Sequence, residues 1–428
     1  MRVVKILSLS IALLIISCKF VNRNSTIVIE NPTELETKCL NRRICNELSE
    51  FKQSDYMDRQ FENFLGKWAM TGMSVAIIKD ERLVYAHGFG YADREKGIKV
   101  TPGNIFRLAS ISKLVTAVAI LKLVENGKLR LDSRVFGEGA ILNDSIFSNI
   151  KDNRLKNITV RHLLAHSGGW SQRYGDPAFN SLSIAEKVGD VPPATIRTFY
   201  KFIAERNLHF APGSSASYSN MGYMFLGEVI SKVSGKPYEE YIRNEILLPN
   251  GIYDMHIGSS LEEGKFENEV KYYEQEDSPR IPGFDGSDQL VSKTYGGNPI
   301  ELLGPAGGWV ASSVELARLL VLIDGHSNVK DIIPSGLLRE MVCDERTRGP
   351  LGWLKISKDG DWWRTGSMAG TSAMMKRCKN GISWVVLFNS SSWKGTSFAN
   401  EINSIMTKVL GHIKTWPDQD LFNYYPPK

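Results

Sequence analysis

The chain has 428 residues, 42% hydrophobic and 23% charged, enough to bury a large core and typical of a globular protein. Its 52 basic and 47 acidic residues give a formal charge of +5, and loss of the leader described next lowers that by two. So small an excess argues against a polyanion partner, so no nucleic acid is expected.

The opening MRVVKILSLSIALLIISC has a basic start and an apolar run from Ile6 to Ile16, too short to span a bilayer and laid out like a secretory signal. Its last four residues, Ile15 to Cys18, resemble a bacterial lipobox. Residues 1–17 are therefore read as a lipoprotein signal peptide and Cys18 as the lipidated first mature residue. The expectation is an exported protein held to a bacterial membrane by an N-terminal lipid, periplasmic or at the cell surface. Residues 18–55 are polar and aperiodic and read as a tether, with ordered structure from Tyr56. Cys39, Cys45, Cys343 and Cys378 remain, and their spacing selects no pairing among three and suggests no zinc.

Met73 to Ile78, the polar turn Lys79 to Arg82, and Leu83 to Ala86 predict a β-hairpin, which HGFGYAD continues or bends. From Ile105 to Val124 the chain is apolar almost all round, which predicts a buried central helix. Helical patterns follow at Val160 to His166 and Met221 to Val233. The region Asp254 to Leu303 is polar, Gly/Pro-rich and weakly periodic, and reads as a long surface excursion. Strand patterns return at Gly352 to Ile356, Trp362 to Thr365, Ala373 to Arg377 and Ser383 to Asn389, before a helix from Ser397 to Leu410. An opening hairpin, a helical middle and closing strands predict an α+β fold whose sheet is assembled from both chain ends. Its body is placed at residues 56–412, with a C-terminal tail at 413–428.

Two lysines interrupt the apolar helix, nine positions apart and so on roughly opposite faces. Lys122 shares a side with Glu125 near the Asn126-Gly127 exit and is the solvated one. Lys113 points inward, where an ammonium costs several kcal/mol or more unless it is paired or loses its proton. Ser110 lies three positions earlier on the same face, and a hydroxyl beside a desolvated amine is a nucleophile with its base. Ser is also a common helix cap, and S-x-x-K occurs five times here, from Ser49, Ser110, Ser148, Ser327 and Ser391. Only the Ser110 copy has its lysine turned inward.

Tyr218-Ser219-Asn220 is the single Y-x-N of the chain. A phenol near an ammonium loses its proton more readily and can relay one, and Asn220 offers a donor and an acceptor to a substrate or to Lys113. The plain alternative is a turn in a Gly/Ser-rich loop. Arg364-Thr365-Gly366-Ser367 lies on a predicted strand, where Gly366 would let a ligand approach, a strand N–H could face an oxyanion, and Arg364 supplies a fork for a carboxylate. His166 reads as a loop residue, and Trp353, Trp362 and Trp363 as core more than pocket.

In this order, S-x-x-K, Y-x-N and a cation-T-G triplet resemble the class C β-lactamases and their DD-peptidase and esterase relatives. GFGYADREKGIKVTPGNIFRLASISK, LLAHSGGW, FAPGSSASYSNMGYMFLGEVISKVSGKPYEEYI and GPAGGWVASSVELARLL look like recurring blocks of that family, over residues from about 70 to 390. The resemblance implies an antiparallel β-sheet flanked by helices plus an all-helical lobe, with the site between them. It makes Ser110 the acyl-forming nucleophile and Lys113 and Tyr218 the proton-handling pair. Asn220, Arg364, Thr365, Gly366 and Ser367 become substrate-binding, with the N–H groups of Ser110 and Ser367 as oxyanion donors. The chain departs from the pattern at Arg364, where Lys or His is usual, and at Asn250-Gly251-Ile252, where Leu-Gly-Met is usual.

The expected function is hydrolysis of an ester or amide, with D-amino-acid peptides and β-lactams among the possible substrates. No metal or organic cofactor is implied, and the partner is a small-molecule or peptide substrate. An acyltransferase using the same acyl-enzyme, and a non-catalytic binder of cell-wall peptide or β-lactam, are the alternatives.

Overall fold

A computed structural model describes residues 44–287, 289–342 and 349–424. The signal segment and Cys18, together with Cys39 and Cys343, lie outside the described residues. Among the described residues, Cys45 and Cys378 are unpaired thiols.

Seven antiparallel strands form the main sheet: β1 (Gly72–Lys79), β2 (Arg82–Asp93), β3 (Ile98–Lys99), β4 (Lys355–Ile356), β5 (Trp362–Met368), β6 (Thr371–Arg377) and β7 (Ile382–Phe388). They run in the order β3-β2-β1-β7-β6-β5-β4. The two chain ends therefore meet at the centre, where Val75 of β1 stands opposite Val386 of β7. Strand periodicity sorts the two faces. Met73, Val75 and Ile77 join a core with α1 (Ser54–Trp68) and α5 (Phe398–His412), including Phe61, Phe64, Ile402 and Met406. Ala76 and Ile78 point the other way, into the larger core shared with α2 (Ser112–Glu125), α3 (Asn220–Ser234) and α4 (Ser313–Val321).

The apolar run opens differently from the expected continuous helix. Phe106–Arg107 is a short strand paired to Ala311 and Val310, Ala109 takes a left-handed φ of 46°, and a 3-10 turn covers Ala109–Ile111. The α-helix begins only at Ser112. From Ile105 to Leu121 every residue but the half-buried Ser110 is buried, so the apolar pattern does not distinguish strand, turn and helix. Lys122 does reach solvent and pairs with Glu125 at 2.7 Å.

Residues 44–55 and 413–424 belong to the folded body. Ser49 Oγ accepts from Ala86 N at 2.8 Å and donates to Ala86 O at 2.7 Å, while Asn46 makes the same two bonds to Gly88 at 2.9 and 3.1 Å. Further along the same edge, Asp420 accepts from Leu83 N, and Leu421 is fully buried. Polar side chains from both ends thus occupy backbone groups that β3 is too short to pair, covering an otherwise open edge. That is why the polar, aperiodic stretch before Tyr56 is ordered without any hydrophobic period.

Trp353 and Trp362 pack together in the core with ring centroids 5.7 Å apart, and Trp363 is half-buried beneath Lys355 and Lys376. The Gly352–Ile356 segment is strand only at its last two residues.

Candidate active site

Three segments distant in sequence converge on the turn before α2. The first is the turn itself, fixed by Leu108 N donating to Trp309 O at 2.8 Å and Trp309 N donating to Ser112 Oγ at 3.1 Å. It puts Ser110 on the 3-10 turn and Lys113 in the first helical turn, so the three-residue spacing still brings the side chains together. Lys113 Nζ lies 3.2 Å from Ser110 Oγ.

Lys113 is completely buried. Its amine donates to Asn220 Oδ1 at 2.6 Å and to Ala306 O at 2.5 Å, and no carboxylate is among these contacts. Burial is the main influence on its pKa and, with the Arg364 charge, lowers it to about 8, against an opposing pull from Tyr218 and Asp176. The Ala306 carbonyl reaches it because the Gly304–Gly308 segment lies against α3, where Gly227 leaves room for Pro305: a Cβ there would stand 2.2 Å from the Pro305 ring.

The second segment is the loop before α3. Tyr218 OH donates to Ser110 Oγ at 2.7 Å and accepts from Arg364 Nη2 at 2.8 Å. Burial alone would raise the phenol's pKa, but Arg364, Lys113 and the hydrogen bonds outweigh it and bring the value down to about 8. His166 supports this loop: its Nδ1 accepts from Ser219 N at 3.1 Å, its ring lies 4.4 Å from that of Tyr218, and its Nε2 is buried with no partner among the described residues. Burial first, and then the Arg364 and Lys113 charges, hold the imidazole pKa well below its usual value, so the ring is neutral.

The third segment is β5. Alternation turns Arg364 and Gly366 toward Ser110 and sends the side chains of Thr365 and Ser367 to the opposite face, where they line a small cavity under α5. Arg364, expected to offer its fork to a substrate carboxylate, is instead 1% exposed. It donates through Nε to Ser110 O at 2.8 Å and through Nη2 to Tyr218 OH, and its Nη1 is buried with no partner among the described residues. A Cβ at Gly366 would stand 2.1 Å from Leu108 O, so this glycine lets the strand lie against the Ser110 turn.

The structure thus brings together Ser110, Lys113, Tyr218, Asn220 and Arg364, with Gly366 alongside, and turns the Thr365 and Ser367 side chains away. Two participants carried no signal in the sequence. Ala306 acts through its carbonyl, and Asp176, from an irregular polar loop, accepts from Asn220 Nδ2 at 2.5 Å. A cavity of about 630 Å3 in the helical lobe adjoins this cluster through Tyr218, Ser219 and Asp176, with Trp170, Tyr174 and His209 among its other walls.

The beta-lactamase family model matches residues 57–403, most of the chain and all of this cluster. The chain belongs to the beta-lactamase family. It is 28% identical to Protein flp of Staphylococcus aureus (strain N315) over 244 residues, 55% of this chain and 43% of that protein. The match therefore spans less than half the length of that curated relative. Among solved structures, the octameric penicillin-binding protein homologue from Pyrococcus abyssi superposes with a TM-score of 0.61 at 25% identity, covering 84% of this chain and 77% of that one. The D-amino acid amidase from Ochrobactrum anthropi SV3 in complex with D-phenylalanine gives 0.65 at 21% identity, covering 84% and 98%. These similarities agree with the α+β architecture of an antiparallel sheet flanked by helices with a helical lobe.

Proposed function

We propose that this beta-lactamase family member is a serine hydrolase that opens an ester or amide through an acyl-enzyme on Ser110. The observation that carries the reading is a fully buried amine within 3.2 Å of a serine hydroxyl that also receives a hydrogen bond from a phenol. A buried lysine is unfavourable for stability, and its lowered pKa makes a neutral amine available near neutral pH.

In the acylation step, Ser110 Oγ bonds to the carbonyl carbon as its proton passes to the Lys113–Tyr218 pair. The pair returns that proton to the leaving amine or alcohol as the carbonyl–heteroatom bond breaks. Water then attacks the Ser110 ester, the same pair accepts its proton, and Oγ recovers one as the acid departs. Arg364 favours the deprotonated phenol and, through the Ser110 carbonyl, fixes the orientation of the nucleophile's peptide. The N–H groups of Ser110 and Ser367 are the oxyanion donors by family resemblance.

Export and anchoring through a lipid on Cys18 are part of the same reading, supported by the basic and apolar layout of residues 1–17. The test is intact-mass analysis after exposure to a 4-nitrophenyl ester and to a fluorophosphonate. One adduct per chain is expected, absent from Ser110→Ala, with turnover lost in that variant. An adduct or full turnover in Ser110→Ala would refute the assignment.

A further inference from the structure

The amide of Asn220 has only one orientation consistent with its neighbours. Lys113 Nζ needs an acceptor and takes Oδ1, which leaves Nδ2 to donate to the Asp176 carboxylate. One amide hydrogen of Asn220 is therefore committed to a carboxylate. The acceptor presented beside the Ser110 cluster carries a full negative charge.

Asp176 is held in place independently of Asn220. Its Oδ1 accepts from Ala178 N at 3.1 Å, capping the Pro177–Phe179 turn, and its own carbonyl accepts from Asn180 Nδ2 at 2.8 Å. Among the described residues its side chain pairs with no lysine or arginine, and it lines the 630 Å3 cavity. A carboxylate with one hydrogen bond at each oxygen still has lone pairs to offer. A substrate carbonyl brought against it would set oxygen against oxygen, whereas an ammonium would satisfy it with a charge-assisted hydrogen bond that outweighs the more distant repulsion from Lys113 and Arg364.

We propose that Asp176 is a specificity residue that selects esters or amides carrying a protonated amine near the scissile carbonyl, and rejects those in which that amine is acylated. This deepens the serine-hydrolase reading and rests on it. The favoured class is aminoacyl esters and amides with a free amino group. N-acylated peptides and acylamino β-lactams, which would present a carbonyl at that position, are disfavoured.

The test uses competition against turnover of 4-nitrophenyl butyrate by the full chain. Phenylalaninamide, N-acetylphenylalaninamide and 3-phenylpropionamide are compared as inhibitors, the first two in both enantiomers, with wild type, Asp176→Asn and Asp176→Ala. In wild type, one enantiomer of the free amine should bind at least about tenfold tighter than its N-acetyl and deaminated counterparts. The preference should collapse in Asp176→Asn, which keeps an acceptor for Asn220 and removes only the charge. It should also shrink between pH 6.5 and 9.5, because an α-amino group titrates near about 8. A preference that survives in Asp176→Asn would assign Asp176 a purely structural role and overturn the proposal. Equal inhibition by all three compounds, or none by any, with Ser110 still phosphonylated by the fluorophosphonate, would overturn it equally. Absence of that adduct would instead sink the hydrolase reading beneath it.

Discussion

Arg364 gives the sharpest quantitative expectation. It is buried, always charged, and its Nη2 lies 2.8 Å from the Tyr218 oxygen. Replacing it by Gln removes the charge and leaves a shorter side chain that keeps an amide donor. At a charge separation of about 4 Å and an effective dielectric constant of about 20, a cation–phenolate attraction is worth about 4 kcal/mol, equivalent to about three pKa units. Water entering the vacated space weakens this, so the expected rise is about one to two units. The Lys113 pKa moves the same way, because Arg364 lowers it too. Deprotonation of either partner creates the base, and the pair titrates jointly, so the rate climbs with pH through a limb near 8. In Arg364→Gln that limb should move to about 9–10, with a correspondingly lower rate at pH 7. Arg364→Lys keeps the charge but loses one of the two donated bonds, and should move it less. The assay is the pH profile of kcat/KM on an aryl ester. An unchanged limb in Arg364→Gln, with the fold intact by circular dichroism, would refute the claim that this cation tunes the pair.

Tyr218→Phe removes the hydroxyl that joins Ser110 to Arg364, and kcat should fall by about 100-fold to 10,000-fold with KM little changed, measured by steady-state kinetics. Gly366→Ala sets a methyl group 2.1 Å from Leu108 O, so strand and turn must separate; about 1–3 kcal/mol of stability should be lost, read by denaturant unfolding, together with most turnover. Ser49→Ala strands both polar groups of Ala86 on the sheet edge and should cost about 1–3 kcal/mol without altering the shape of the pH profile, whereas a free tether before residue 56 would predict no cost at all.

Legibility in the sequence followed the directionality of each pattern. The hairpin, the closing strands and α3 were readable because one face of each differs from the other or because turn residues bound them. The inward aspect of Lys113 was readable for the same reason, since a single charge in an apolar run has an unambiguous direction. The strand and left-handed residue before Ser112 were not, because an apolar run with no solvent-facing stripe has no periodicity. Arg364 was placed on its strand, but its role reversed: alternation buries it under Ser110, and a fork that suits a carboxylate serves a phenol and a carbonyl equally well. Asp176 was beyond reach because its partner Asn220 lies 44 residues away and nothing local marks the encounter.

The order of synthesis gives the sheet register a further meaning. The serine turn emerges early, yet the guanidinium that grips its carbonyl belongs to a strand made 254 residues later, and β1 waits still longer for β7. A growing chain thus carries the Ser110 turn with neither its electrostatic environment nor the central seam of its sheet complete. On the acyl-enzyme proposal, a ribosome that stops before β5 leaves a product without this chemistry.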